Sequence, residues 1–233
     1  MKLCVLNYSG NVGKSTIAKH LLGPRIDDCE MVKVESINAD EDDNEAIRGR
    51  RFRELSEMLD MFNSAVVDVG SSNVEEYLMG MKDFRGSHGD YDAFIVPATP
   101  PNKQQRDTVT TISALAEMGV EPERIRIILN WVEHGDEPHQ VFSSLIAWTE
   151  EQQLCAVPRA VIGYNELFSL LRGSERSIAD LLADDTDYRA AIRATADSDD
   201  KLRLSRALAM RRLALGVQED LDAAWDALWE DAA

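Results

Sequence analysis

Apolar positions fall into two periods along this chain. Residues 2–6 (KLCVL) form a short apolar run closed by the polar turn Asn7-Tyr8-Ser9-Gly10, the pattern of a buried parallel strand. After it, Ile17, Ala18, Leu21 and Leu22 recur at helical spacing until Gly23-Pro24. Further strands are predicted at 31–35, 64–69, 92–96, 124–129 and 154–157, separated by helices at 46–62, 73–84, 103–118 and 139–152. Strands alternating with helices predict a parallel sheet covered on both faces. Beyond residue 164 the strand signal stops. Helices are expected at 164–172, 175–183, 187–196, 199–215 and 217–230, the last two forming an extension (197–233) on a domain spanning 1–196.

Composition narrows the function classes. The 233 residues are 44% hydrophobic, enough for a sizeable core, and 42 acidic against 25 basic side chains give a net charge of -17. No stretch is long and apolar enough for a membrane span, and the first residues turn polar too early for a signal sequence, so a soluble cytoplasmic protein is expected. Cys4, Cys29 and Cys155 lack metal or disulfide spacing. The acidic surface disfavours general attraction to nucleic acid, which depends on Lys and Arg displacing counterions. DNA contact is expected only at two local clusters, Arg48, Arg50, Arg51 and Arg53, and Lys201, Arg203, Arg206, Arg211 and Arg212, and for each the favoured reading is pairing with nearby acids on a solvated helix face.

The most specific feature is Ser9-Gly10-Asn11-Val12-Gly13-Lys14-Ser15-Thr16, between the first strand and the first helix. A triphosphate needs backbone N–H groups at close range, hence glycines and a helix start, with a lysine for the β- and γ-phosphates and a hydroxyl for Mg²⁺. Gly10, Gly13, Lys14 and Ser15 meet these needs, although Tyr8 occupies the first glycine position of the standard motif. Asp68, closing the apolar run Val66-Val67-Asp68-Val69, is the candidate to orient Mg²⁺ opposite Ser15. Gly70, Ser71 and Ser72 could let this loop approach the γ-phosphate, while Ser72 or Asn73 could simply cap the next helix.

On these residues the sequence resembles the ParA/MinD superfamily of P-loop ATPases, and LNYSGNVGKSTIAKHLL, VESINADEDD and VVDVGSSNVEEYL look most like the plasmid-stability StbB proteins. The resemblance covers roughly 1–185. It implies a three-layer α/β P-loop fold with a mostly parallel sheet, ATP and Mg²⁺ as ligands, ATP hydrolysis, a homodimer, and a plasmid-encoded protein partner in plasmid stability, partition or conjugation. Ser9 stands where the superfamily has its signature lysine, and Asn11 where it has a second glycine. The resemblance also assigns the water-positioning carboxylate to Asp40 or Glu35, and the base-side contacts to Asn130, Pro158 and Arg159, with adenine preferred to guanine because Trp131 stands where a GTPase motif has lysine. MinD-like relatives end in a basic membrane helix; here the last helix is acidic, so no membrane is expected. Two other readings stand beside the ATPase switch: a nucleotide-gated adaptor with little turnover, and a small-molecule ligase or kinase such as dethiobiotin synthetase.

Overall fold

A computed structural model describes residues 1–34, 45–174 and 176–230, the side chains of 45–50 excepted. Glu35 and Asp40 therefore lie outside the described residues, as do the side chains of Arg48 and Arg50. The elements run β1 Lys2–Val5, α1 Lys14–Ile17, β2 Cys29–Val34, α2 Glu45–Asp60, β3 Ser64–Val69, α3 Val74–Asp83, β4 Ala93–Ala98, α4 Asn102–Glu117, β5 Ile125–Val132, α5 Pro138–Val141, α6 Ser143–Gln152, β6 Ala160–Gly163, α7 Glu166–Leu170, α8 Ile178–Ala183, α9 Tyr188–Ala194 and α10 Ser198–Trp229. The six strands form one sheet in the order β2-β3-β1-β4-β5-β6, and every pairing is parallel.

Alternation along the strands assigns the two faces. Cys4 and Leu6 belong to a core shared with α2, α3, α4 and α6, whereas Leu3 and Val5 belong to a second core shared with α1, α7, α8 and α10. Helices on both faces make three layers. Because the chain proceeds from β1 to one side of the sheet through β3 and β2, and later to the other through β4, β5 and β6, the order reverses at β1. Ligands of open parallel sheets bind beyond the carboxyl ends of the strands at such a reversal. The loop Ser9 to Gly13 leaves β1 at that end.

Three expectations are revised. The apolar run 154–157 is not a strand; β6 begins after Pro158, which has no N–H to give a ladder, and its first pairing is Ile128 with Ala160. Gly216 does not divide the last helices. α10 is one helix of 32 residues, because Ala214, Val217, Leu221, Ala224 and Leu228 bury one continuous face across the glycine. The first helix starts at Lys14, opens into a π-helical turn over Ala18–Leu22, and carries Gly23–Arg25 as a 3₁₀ turn. Among the described residues no helix is long and apolar enough to cross a membrane.

Candidate nucleotide site

The chain leaving β1 is tied down before the glycines begin. Asn7 is fully buried; its amide Nδ2 donates to the carbonyl of Pro97 (2.8 Å) and to Thr108 Oγ1 (2.9 Å), and its Oδ1 accepts from the Ser9 N–H (2.7 Å). The Tyr8 N–H donates to Thr111 Oγ1 (3.2 Å), and Ser9 Oγ donates to Asp107 Oδ2 (2.6 Å). Residues 107, 108 and 111 lie on one side of α4, so the start of the loop is fastened to that helix at three successive residues.

The loop itself turns through left-handed backbone at Asn11 (φ 55°) and Gly13 (φ 90°), the second of which suits glycine. It is wedged between two strand ends. A Cβ built on Gly10 would lie 3.3 Å from Ser71 Oγ, in the loop after β3, and one built on Gly13 would lie 2.2 Å from the Asn130 amide nitrogen, at the end of β5. That amide donates to the Val12 carbonyl at 2.9 Å. Asn130 is held inward by a bulge between Asn130 and Val132, where Trp131 adopts φ 62°, a conformation that bulky residues rarely tolerate.

Lys14 folds back into the loop it terminates. Its ammonium donates to the carbonyls of Ser9 (2.7 Å) and Asn7 (3.2 Å), and the residue is buried. Burial pushes its pKa down to about 8, while the nearby Asp68 carboxylate works in the other direction. Asp68 is buried at the end of β3, in register with Val5 of β1, one strand from the loop. Ser15 and Thr16 occupy the first turn of α1, with Ser15 exposed. A hydroxyl at a helix start and one carboxylate across from it suit Mg²⁺, which takes few protein ligands and completes its shell with phosphate oxygens and water.

Ser9 to Thr16, Asp68 and Asn130 thus gather beyond the carboxyl ends of β1, β3 and β5. Pro158 and Arg159 stand elsewhere, ahead of β6 and so at the opposite, amino end of the strands, with Arg159 3.8 Å from Glu230 in an ion pair. The segment that follows β6 on the loop's side is Tyr164-Asn165, whose Asn caps α7 by accepting from the Leu167 N–H. Asp107, Thr108 and Thr111 were not among the sequence candidates; the available signal was polar residues on the buried face of α4, where Thr108 and Thr111 stand with Gln105, Ile112 and Leu115.

The 2.2 Å approach sets up a direct test. Gly13→Ala is expected to weaken nucleotide binding at least about tenfold, since the new methyl strikes Asn130 and the backbone is left-handed. Asn130→Ala should cost less nucleotide affinity in the Gly13→Ala background than in wild type in a fluorescent-nucleotide titration, and equal costs in the two backgrounds would contradict the packing argument.

No family model matches the chain, and no curated protein matches it. Among solved structures, apo McdA from Cyanothece aligns with a TM-score of 0.51 at 12% identity, covering 94% of this chain and 98% of that one. A variant McdA in complex with ATP gives 0.49 at 11% over 95% and 96%. A plasmid partition protein from Borrelia burgdorferi B31 bound to AMPPNP gives 0.47 at 13% over 90% and 97%. At these identities the likeness is one of fold: the chain shares with McdA a three-layer architecture built on a parallel sheet, and here the glycine-lysine loop follows the strand at which the order reverses.

Proposed function

We propose that this chain is an ATP-binding switch of the ParA/MinD type that hydrolyses ATP slowly in plasmid stability or partition, in the manner of the StbB proteins it resembles. The observation that carries this reading is the buried Lys14 ammonium inside a loop clamped between Ser71 and Asn130. A cation held by two backbone carbonyls is poised to exchange them for the β- and γ-phosphate oxygens, which offer stronger, charge-assisted bonds. Backbone N–H groups from Gly10 to Ser15 would line the phosphates, and Asn130 would reach the adenine. Ser15 and Asp68 would hold Mg²⁺, which neutralises charge on the phosphates. The reaction is attack of water on the γ-phosphorus in line with the departing β-γ bridging oxygen, with Asp40 or Glu35 orienting that water.

A second reading keeps the ATP site and discards turnover. Ser9 Oγ is committed to Asp107, so this position anchors α4 and supplies no cation to the phosphates of a second subunit. The test is ATP affinity and steady-state phosphate release by the full chain with Mg²⁺ and with EDTA, for wild type and Asp68→Ala. The switch reading expects Mg²⁺-dependent turnover that falls at least about tenfold in Asp68→Ala. Tight binding without turnover selects the adaptor, and no ATP binding by wild type rejects both.

A further inference from the structure

The outer face of α10 carries a charge pattern that the monomer uses only in part: Arg211 donates to the Thr186 carbonyl, and Asp222, Glu230 and Arg203 pair with Arg25, Arg159 and Asp200. From 201 to 212 the helix has five basic and no acidic side chains; from 219 to 230 it has five acidic and no basic ones. About the point between Leu215 and Gly216, three of the five basic residues have an acidic counterpart: Lys201 matches Glu230, Arg211 matches Asp220 and Arg212 matches Glu219. The inner face of the helix packs over β6, and its core residues stop at Ala214, Val217, Leu221, Ala224 and Leu228. On the other side, Leu208, Arg212, Leu215 and Glu219 follow one another at spacings of four, three and four, the seam spacing of a paired helix. Arg212 and Glu219 are exposed, and Leu215 is 56% exposed, high for a leucine in the middle of a long helix.

We propose that the outer face of α10 is a self-complementary surface through which two copies of this chain pair, their α10 helices antiparallel and crossing at Leu215. A two-fold axis between Leu215 and Gly216 sets Arg212 of each copy opposite Glu219 of the other, and Leu208 opposite Ala223, while the two Leu215 side chains meet at the centre. Antiparallel pairing is the arrangement the charges select. A parallel pair would face basic half with basic half and acidic half with acidic half, and like charges in register repel. A two-fold contact is also closed, so it ends at the dimer. Gly216 and Ala223 leave room beside the seam for the second helix; around Gly216 nothing lies within 4 Å of where a side chain would begin. The occupant is a second copy because the complement of each half is the other half of the same helix. A nucleic acid would meet the acidic half as well as the basic one, on a chain whose net charge is -17.

This pairing does not depend on nucleotide, so it is tested apart from the ATP reading. Sedimentation equilibrium of the full chain without ATP, at about 50 mM salt, is expected to give twice the 26.0 kDa chain mass. Arg212→Glu or Glu219→Arg alone should weaken the dimer at least about tenfold, because each change sets two like-charged contacts across the axis. The double variant Arg212→Glu/Glu219→Arg, which restores both contacts with the charges exchanged, should recover it. Both positions are exposed, so circular dichroism should show all variants folded. A monomeric wild type, a dimer indifferent to the single changes, or a double variant no better than the singles would each overturn the proposal.

Discussion

Lys14→Met is expected to lose ATP binding at least about a hundredfold while the protein remains as stable as wild type at pH 7. The loss follows from the ammonium's two bonds to Asn7 and Ser9, which a triphosphate would replace with charge-assisted ones. Bonds to a charged group contribute about 1.5–3 kcal/mol each, and two of them account for two decades of affinity or more. The stability follows from the same burial seen from the other side. A lysine whose pKa is pushed from 10.5 to about 8 is charged at a cost in the folded chain, and that cost offsets the two carbonyl bonds lost with it. Between pH 8 and 10.5 the unfolded chain binds this proton and the folded chain does not, so wild-type stability rises with pH across that window, and the Met variant should lack the rise. ATP binding should return the proton. Calorimetry in buffers of different ionisation enthalpy at about pH 9 is expected to show proton uptake for wild type, and its absence would mean that Lys14 does not meet the phosphates.

What was legible in the sequence was local. The strand, glycine loop and helix from Lys2 to Leu22 are consecutive, so their pattern, spacing and chemistry can be read together, and Asp68 announces itself as a carboxylate at the end of an apolar run. The alternation of strands and helices carried the fold class for the same reason. Long-range pairings were not legible. The tie from Asn7, Tyr8 and Ser9 to Asp107, Thr108 and Thr111 spans about a hundred residues, and neither segment's pattern refers to the other. Asn130 was singled out for the base, yet its amide holds the Val12 carbonyl, a contact created by the Trp131 bulge that no propensity announces. The sixth strand was displaced because the apolar run 154–157 ends at a proline: Cys155 packs into the core, but the ladder opens only at Ala160. Gly216 misled in the opposite direction, since a glycine ends a helix only where burial does not carry it on.

Acidification should destabilise this protein through a single histidine in the helix that follows the loop. His20 lies in the π-helical turn, 7% exposed, its ring 6.2 Å from that of Phe168, and its Nδ1 has no hydrogen-bond partner among the described residues. Burial, helped by the charge of Lys19 and opposed by Asp180, pushes its pKa down to about 4. The group is therefore neutral in the folded chain, and between pH 6.5 and about 4 the unfolded chain binds a proton that the folded one does not. Stability is fully present above pH 6.5 and is lost as pH falls through that window, by about 3 kcal/mol in all. His20→Leu keeps an apolar filling and removes the titration. Urea unfolding from pH 7 to 4 should show wild type falling away from the variant by that amount, the difference cancelling the carboxylates common to both; parallel curves would show that His20 is not the group. The consequence reaches the site, because the turn that holds His20 continues directly from the turn that carries Lys14 and Ser15. In the folded chain the imidazole charges only as pH approaches 4, and a charge there disturbs the turn that supports the glycine loop, so ATP affinity in wild type should fall as pH nears 4, and in His20→Leu it should fall less.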